Sequence, residues 1–76
     1  MITLLFFAYL KDAIGTERLD VAHAPMTVGQ LKRQLEADYN LDLRHVMVAV
    51  NEEYALEERT LQQGDIVAFI PPVSGG

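Results

Sequence analysis

Apolar residues occur along the whole chain in short runs separated by polar turns, and most of these runs lack helical spacing. The first run, residues 2–8, is rich in branched and aromatic side chains, which favours a strand over a helix. Because successive strand residues point to opposite sides, Thr3, Leu5 and Phe7 share one side and the even-numbered residues share the other. Both sides are mostly apolar, which is typical of an internal strand covered on both faces.

One amphipathic helix is predicted over residues 28–39. Thr27 and Gln30 have the spacing of a capping box, and Asn40 suits the left-handed position that follows a helix. The apolar stripe of the helix consists of Val28, Leu31, Leu35 and Tyr39. The charged residues that lie largely off this stripe are Lys32, Arg33, Glu36 and Asp38.

The remaining pattern predicts one helical turn and four further strands. The turn covers residues 9–14 and ends at Gly15, and the strands cover residues 16–22, 46–50, 54–56 and 66–70. Pro71 and Pro72 end the last strand because neither can donate a backbone hydrogen bond. In that strand Val67 and Phe69 share one side, and Ala68 and Ile70 share the other. Since both pairs are apolar, alternation leaves open which pair faces outward.

This order of elements predicts an α+β fold in which one helix lies on one face of a sheet. The first, third and last strands are apolar on both faces, but a single helix covers only one of them. Either the loops at residues 41–44 and 54–61 fold over the second face, or another protein covers it.

The composition excludes several classes of function. A chain of 76 residues forms one small domain, and the absence of cysteine excludes disulfides, thiolate zinc sites and a thiol nucleophile. His23 and His45 are isolated, so we expect surface histidines and no metal site. A net charge of −5 disfavours nucleic-acid and anionic membrane partners. The amino-terminal apolar run is too short to span a bilayer, so a cytoplasmic location is expected.

Two groups of polar side chains are interpreted as structural. A solvated acidic rim is expected from Glu52, Glu53, Glu57 and Glu58. Such a rim could steer a basic partner surface. Tyr39 and Tyr54 are expected to pack against the fold and to take no part in catalysis.

The chain ends in Pro71-Pro72-Val73-Ser74-Gly75-Gly76. One interpretation is a frayed terminus without function. The other is chemical, because two glycines without Cβ can thread a narrow slot and present the terminal carboxylate to a second protein. A carboxylate needs activation before a nucleophile can attack it. Since the chain has no glycine-rich phosphate loop, any ATP site must belong to a partner.

Three parts of the sequence resemble the small subunits of molybdopterin synthase. These are residues 5–8 with 11–15, then Val50-Asn51-Glu52, and then residues 64–76, which run from a Gly-Asp turn to Pro-Pro-Val-Ser-Gly-Gly. Lys11 stands where that family commonly has arginine. The resemblance implies a ubiquitin-like β-grasp fold, with a mixed sheet of about five strands and one main helix on one face. Residues 1–70 would form the β-grasp domain, and residues 71–76 a flexible carboxyl-terminal carrier tail.

The resemblance also implies a sulfur carrier. An ATP-dependent adenylating enzyme would activate the Gly76 carboxylate, and sulfur would then replace the adenylate to give a thiocarboxylate. The tail would insert into the large subunit of molybdopterin synthase and deliver sulfur to cyclic pyranopterin monophosphate. Two small and two large subunits would form a heterotetramer. The chain would bind no cofactor and would not be catalytic alone, because ATP is used by the activating enzyme.

The implied site divides into reacting and docking residues. Gly76 would carry the carboxylate or thiocarboxylate, with Gly75 beside it. The partner-binding residues would be Leu5, Phe7, Ile70, Pro72, Val73 and Ser74, and analogy with the fold favours Ile70 facing outward. The alternatives are a carrier for thiamine synthesis or tRNA thiolation, a ubiquitin-like covalent protein modifier, and a plain interaction domain.

Overall fold

A computed structural model describes residues 1–22 and 25–72. Its elements, in chain order, are β1 (Ile2–Phe6), α1 (Tyr9–Ile14), β2 (Arg18–Val21), α2 (Val28–Tyr39), β3 (Met47–Val50), β4 (Glu53–Tyr54) and β5 (Ile66–Ile70). This order confirms the predicted sequence of elements. Strands β1, β2 and β3 are shorter than predicted, and β4 begins one residue and ends two residues earlier.

The strands form one mixed sheet in the order β2-β1-β5-β3-β4. Strand β5 lies in the centre, parallel to β1 and antiparallel to β3. Strands β2 and β4 pair antiparallel with β1 and β3 at the two edges. The predicted internal strands are therefore internal. The arrangement of five strands with one long helix agrees with the expected β-grasp fold.

The core lies between the sheet and α2. Phe6 and Phe69 stack there with their ring centroids 5.4 Å apart. Strand residues that share the core face with these two rings are buried, including Ile2, Leu4, Val48, Val50 and Val67. In β5, Val67 and Phe69 are fully buried, whereas Ala68 and Ile70 lie half-buried on the opposite face. Ala68 and Ile70 are therefore the pair that faces outward, which the alternation alone did not decide.

Helix α2 confirms the predicted capping box, but its buried surface is wider than the predicted stripe. Gln30 N–H donates to Thr27 Oγ1 across 3.2 Å, and Thr27 N–H donates to Gln30 Oε1 across 2.8 Å. Asn40 adopts the left-handed conformation after the last turn. Tyr39 is exposed, and Lys32 is buried, which corrects the assignment of both residues.

The loops expected as possible covers of the second sheet face do not cover it. Leu43 and Leu61 lie in the same core as α2, and Leu41 and Ala55 pack against it. These loop residues thus complete the core between the sheet and α2. The interpretation in which residues 41–44 and 54–61 fold over the second face is wrong, and that face is open across the described part of the chain.

Candidate functional site

The face of the sheet turned away from α2 carries mostly apolar side chains. Residues directly opposite in a ladder point to the same side, so register identifies the members of this face. Leu5 is opposite Ala68, Ala68 is opposite Ala49, and Ala49 is opposite Tyr54. Two further opposite pairs lie on the same face, Thr3 with Ile66 and Met47 with Ile70. We call these eight residues, together with Phe7 beyond the end of β1, the open face.

The open face exposes large apolar side chains near its two margins. Phe7 is 48% exposed beside β1, and Tyr54 is 68% exposed on the edge strand β4. Met47 and Ile66 are also about half exposed. Exposed apolar side chains grouped on one face are typical of a surface that binds another protein.

Charged residues border the open face at β1 and β2. Leu5 and Phe7 line a hollow together with Lys11 and Arg18. Asp20 accepts a hydrogen bond from Thr3 Oγ1 across 2.9 Å and lies 3.4 Å from Arg18. The Thr3 hydrogen bond, more than the Arg18 charge, holds the pKa of Asp20 below its ordinary value. This margin therefore keeps the Asp20 carboxylate ionised next to the Arg18 cation.

The carboxyl-terminal strand leaves the middle of the sheet. Phe69 is opposite Phe6, and Ile70 is opposite Met47, so residues beyond Ile70 start between the ends of β1 and β3. Pro71 is buried and Pro72 is exposed. The described chain thus leads from the centre of the open face towards residues 73–76.

A polar network holds the start of β5. Asp65 is buried, and its two carboxylate oxygens accept hydrogen bonds from Asn51 Nδ2 across 2.9 Å and from Gln62 N–H across 2.7 Å. Asn51 Oδ1 in turn accepts from Ile66 N–H across 3.0 Å. This network joins the turn after β3 to the turn before β5. It links two of the segments on which the family resemblance rests.

A tight turn follows Phe7. Leu10 N–H donates to Phe7 O across 3.1 Å, and Ala8 between them has a φ of 53° and a ψ of −133°. Glycine adopts such angles readily, whereas a residue with a Cβ is strained. The strained residue lies next to the exposed side chain of Phe7, and the turn follows the end of β1 at Phe6.

The sequence matches the family model described as the ThiS family over residues 4–76. The chain belongs to the ThiS family. It is 36% identical to the molybdopterin synthase sulfur carrier subunit of Escherichia coli strain K12, in an alignment that covers 100% of both chains. This relative confirms the resemblance inferred from the sequence motifs.

Solved structures show the same fold as this ThiS-family chain. A molybdopterin converting factor subunit 1 from Pyrococcus furiosus matches with a TM-score of 0.81 at 21% identity, covering 95% of this chain and 97% of that one. Small archaeal modifier protein 1 from Haloferax volcanii matches at 0.72 and 28%, covering 95% and 97%. In a complex of subunits 1 and 2 of the Helicobacter pylori molybdopterin-converting factor, one chain matches at 0.69 and 22%, covering 99% and 97%. The β-grasp fold is thereby confirmed.

The structure brings together three of the predicted docking residues of this ThiS-family chain. Leu5, Phe7 and Ile70 lie on or beside the open face, and Pro72 is exposed just beyond it. The other predicted site residues, Val73, Ser74, Gly75 and Gly76, lie outside the described residues. Of the two histidines, His45 is exposed as expected, and His23 also lies outside the described residues. Within residues 1–22 and 25–72 no three metal-ligating side chains form a group.

Sequence reasoning missed Met47, Tyr54 and Ile66, which expose much of the open face. Tyr54 does not pack inward as expected, because its ladder partner Ala49 faces away from α2. The pairing register was the missing signal. Once Ile70 faces outward, Met47 and Ile66 must follow it.

The predicted acidic rim is exposed. Glu52, Glu53, Glu57 and Glu58 are all exposed, and Glu57 also lies 3.5 Å from Lys32 and 3.6 Å from Arg33. One of the four glutamates therefore pairs with α2.

None of the helices in residues 1–22 and 25–72 has the length and hydrophobicity needed to span a membrane.

Proposed function

We propose that this chain is the sulfur carrier subunit of a molybdopterin synthase. The observation that carries the proposal is the path of β5, which runs through the centre of the open face and leads to a Gly-Gly terminus. The E. coli relative that matches over its whole length supports the same assignment.

The chemistry would take place on the Gly76 carboxylate. One carboxylate oxygen attacks the α-phosphorus of ATP, which releases pyrophosphate and leaves an acyl adenylate. A sulfide-level sulfur nucleophile then attacks the carbonyl carbon and expels AMP, giving a terminal thiocarboxylate. Because the chain has no phosphate-binding glycine loop, a separate adenylating enzyme supplies the ATP site.

The large subunit would supply the substrate site. In this proposal it covers the open face while the Gly-Gly tail reaches into its pocket and gives sulfur to cyclic pyranopterin monophosphate. The anionic phosphate of that substrate suits a cationic pocket on the partner better than a chain of net charge −5. The Helicobacter pylori neighbour, which is a complex of two subunits, supports a large-subunit partner, and we propose two copies of each chain.

A covalent protein modifier is the second candidate, because small archaeal modifier protein 1 has the same fold. The two candidates share adenylation of the terminal glycine and differ in the nucleophile that follows. A lysine amine would give an isopeptide, whereas sulfur gives a thiocarboxylate. Carriers for thiamine synthesis or tRNA thiolation would share the thiocarboxylate and differ in the acceptor.

Mass spectrometry of the terminal peptide tests the proposal. The chain, with its native terminus, is incubated with adenylating enzyme, ATP and a sulfur source. We expect Gly76 to gain the mass difference between sulfur and oxygen. Oxidation of Met1, Met26 or Met47 adds nearly the same mass, so the change must be localised to the terminal peptide.

A chain that lacks Gly76 is the matched control. It should keep the melting temperature of the full chain, because only one terminal glycine is removed and every residue of the core described for residues 1–22 and 25–72 is retained. It should lose both thiocarboxylate formation and molybdopterin synthesis with the large subunit. Molybdopterin formation by the truncated chain would contradict the mechanism, and an isopeptide in place of a thiocarboxylate would favour the modifier.

A further inference from the structure

A groove runs along the edge of the sheet where β4 is too short to cover β3. Strand β4 pairs with Ala49 and Val50, and Ala55 N–H donates to Val48 O across 2.9 Å. At Met47, which precedes Val48 in β3, no strand of the described chain covers this edge. The resulting cavity of about 270 Å³, which we call the edge groove, is lined by Val28, Lys32, Val46, Met47, Tyr54 and Leu56.

The buried ammonium group in the edge groove already has partners. Lys32 Nζ donates to Val46 O across 3.2 Å and lies 3.5 Å from Glu57. Among the described residues, every buried side-chain nitrogen or oxygen has a hydrogen-bond partner. A charged ligand would therefore gain little here, and the remaining lining is apolar. The groove fits apolar side chains, because a cavity of roughly 150 Å³ already holds a benzene ring.

The rim of the edge groove continues into the open face. Met47 and Tyr54 belong to both surfaces. Leu56 extends the apolar surface beyond the sheet and is 75% exposed, the highest value among the large apolar side chains of the described chain. A protein bound to the open face would therefore also contact the edge groove, because the two surfaces form one continuous apolar area.

We infer that the edge groove is the outer part of the large-subunit docking site, where it receives one aromatic or two aliphatic side chains of that subunit. This inference rests on the proposed function, because the partner is the one proposed to cover the open face. Continuity through Met47 and Tyr54 favours the same partner over a second copy of this chain or an unrelated peptide. Leu56 is then a docking residue that lies off the sheet.

Binding of three full-length variants to the large subunit tests the inference. Leu56→Asp places a charge on the groove rim, Phe7→Glu places one on the open face, and Ala37→Asp places one on the exposed side of α2 as a control. We expect Kd to rise about tenfold or more for Leu56→Asp and Phe7→Glu, and to stay unchanged for Ala37→Asp. Melting temperatures establish that each variant is folded.

A cysteine label gives a second readout that does not depend on a destabilising charge. The chain has no cysteine, so Leu56→Cys and Ala37→Cys each carry one environment-sensitive fluorophore. Adding the large subunit should shift the emission of the label at residue 56 to shorter wavelength and leave the label at residue 37 unchanged.

The outcomes separate the groove from the proposed function. One outcome is that Phe7→Glu weakens binding, Leu56→Asp does not, and the label at residue 56 shows no shift. This outcome overturns the inference about the edge groove but leaves the proposed carrier function standing. A label shift that appears when the chain alone is concentrated assigns the groove to a second copy and also overturns the inference. Failure of the unaltered chain to bind any large subunit would instead count against the proposed function itself.

Discussion

Lys32 on α2 and Val46 before β3 are joined by a hydrogen bond of 3.2 Å from the Lys32 ammonium to the Val46 carbonyl oxygen. Lys32 is 8% exposed, although its position in the helix falls off the apolar stripe. Its aliphatic stem lies in the apolar edge groove, and its charge reaches Glu57. The ammonium occupies a backbone acceptor at the open edge of β3, which explains how a lysine is tolerated there.

Replacing Lys32 should therefore destabilise the fold. Lys32→Ala removes the donor to Val46 and the packed stem, so we expect the free energy of unfolding to fall by about 1–3 kcal/mol. Lys32→Met keeps an apolar stem of similar length and should lose less. Denaturant titration measures both.

Arg33→Ala is the matched control for Lys32. Arg33 and Glu57 are exposed and 3.6 Å apart, and such a pair contributes less than about 1 kcal/mol. Equal losses for the Lys32→Ala and Arg33→Ala variants would contradict the role assigned to the buried hydrogen bond.

Ala8→Gly should stabilise the protein. The φ of 53° costs a residue with a Cβ about 1–3 kcal/mol, and glycine avoids this cost but loses roughly 0.5–1 kcal/mol in chain entropy. We expect a net gain of about 1 kcal/mol, which raises Tm by about 4–8 °C in a domain of this size. Calorimetry measures the change.

Gly15→Ala provides the opposite test of the same physics. Gly15 has a φ of 97° and nothing within 4 Å of an added Cβ, so conformation alone makes alanine unfavourable there. Its Tm should fall. If Ala8→Gly also lowers Tm, the turn after Phe7 is held by contacts and stores no strain.

Thr3→Val should raise the pKa of Asp20 towards its ordinary value of 3.8. The Thr3 hydroxyl donates to the ionised carboxylate, and valine has the same shape without that donor. NMR titration of the carboxyl carbons measures the shift. Asp42, whose pKa is lowered chiefly by a side-chain hydrogen bond from Arg44, should not move and serves as the internal reference.

The same variant predicts a change in acid stability. A carboxyl group with a lowered folded pKa contributes stability that is present above its unfolded pKa and is lost as the pH falls through the folded one. The unaltered protein should lose this contribution below about pH 4, and Thr3→Val should lose less over that range. An identical pH dependence would mean that the Thr3 hydrogen bond does not persist in solution.

Asp65→Ala should destabilise the start of β5. The variant leaves the Gln62 N–H and the Asn51 side-chain amide without their acceptor, so we expect a loss of about 1–3 kcal/mol in unfolding free energy. Asp65→Asn retains one acceptor oxygen and should lose less. Hydrogen exchange at Ile66 and Val67 should quicken more than exchange in α2, and uniform quickening would argue against a local role.

The local features of this protein were predictable from its sequence because their causes are local. The Thr27 and Gln30 capping box, the left-handed Asn40 and the alternation within β1 and β5 each depend on residues a few positions apart. Leu5, Phe7 and Ile70 could be chosen as docking candidates on that basis with the family resemblance. The Gly-Gly terminus and the absence of cysteine likewise indicated chemistry on the tail.

The tertiary structure decided which apolar faces are covered. Both alternating pairs of β5 are apolar, so only packing against α2 makes Phe69 core and leaves Ile70 half-buried on the open face. The exposure of Tyr54 follows from its pairing with Ala49, and the burial of Lys32 follows from a carbonyl 14 residues away. These features depend on strand register and on long-range contacts, which hydrophobic periodicity along the chain does not encode.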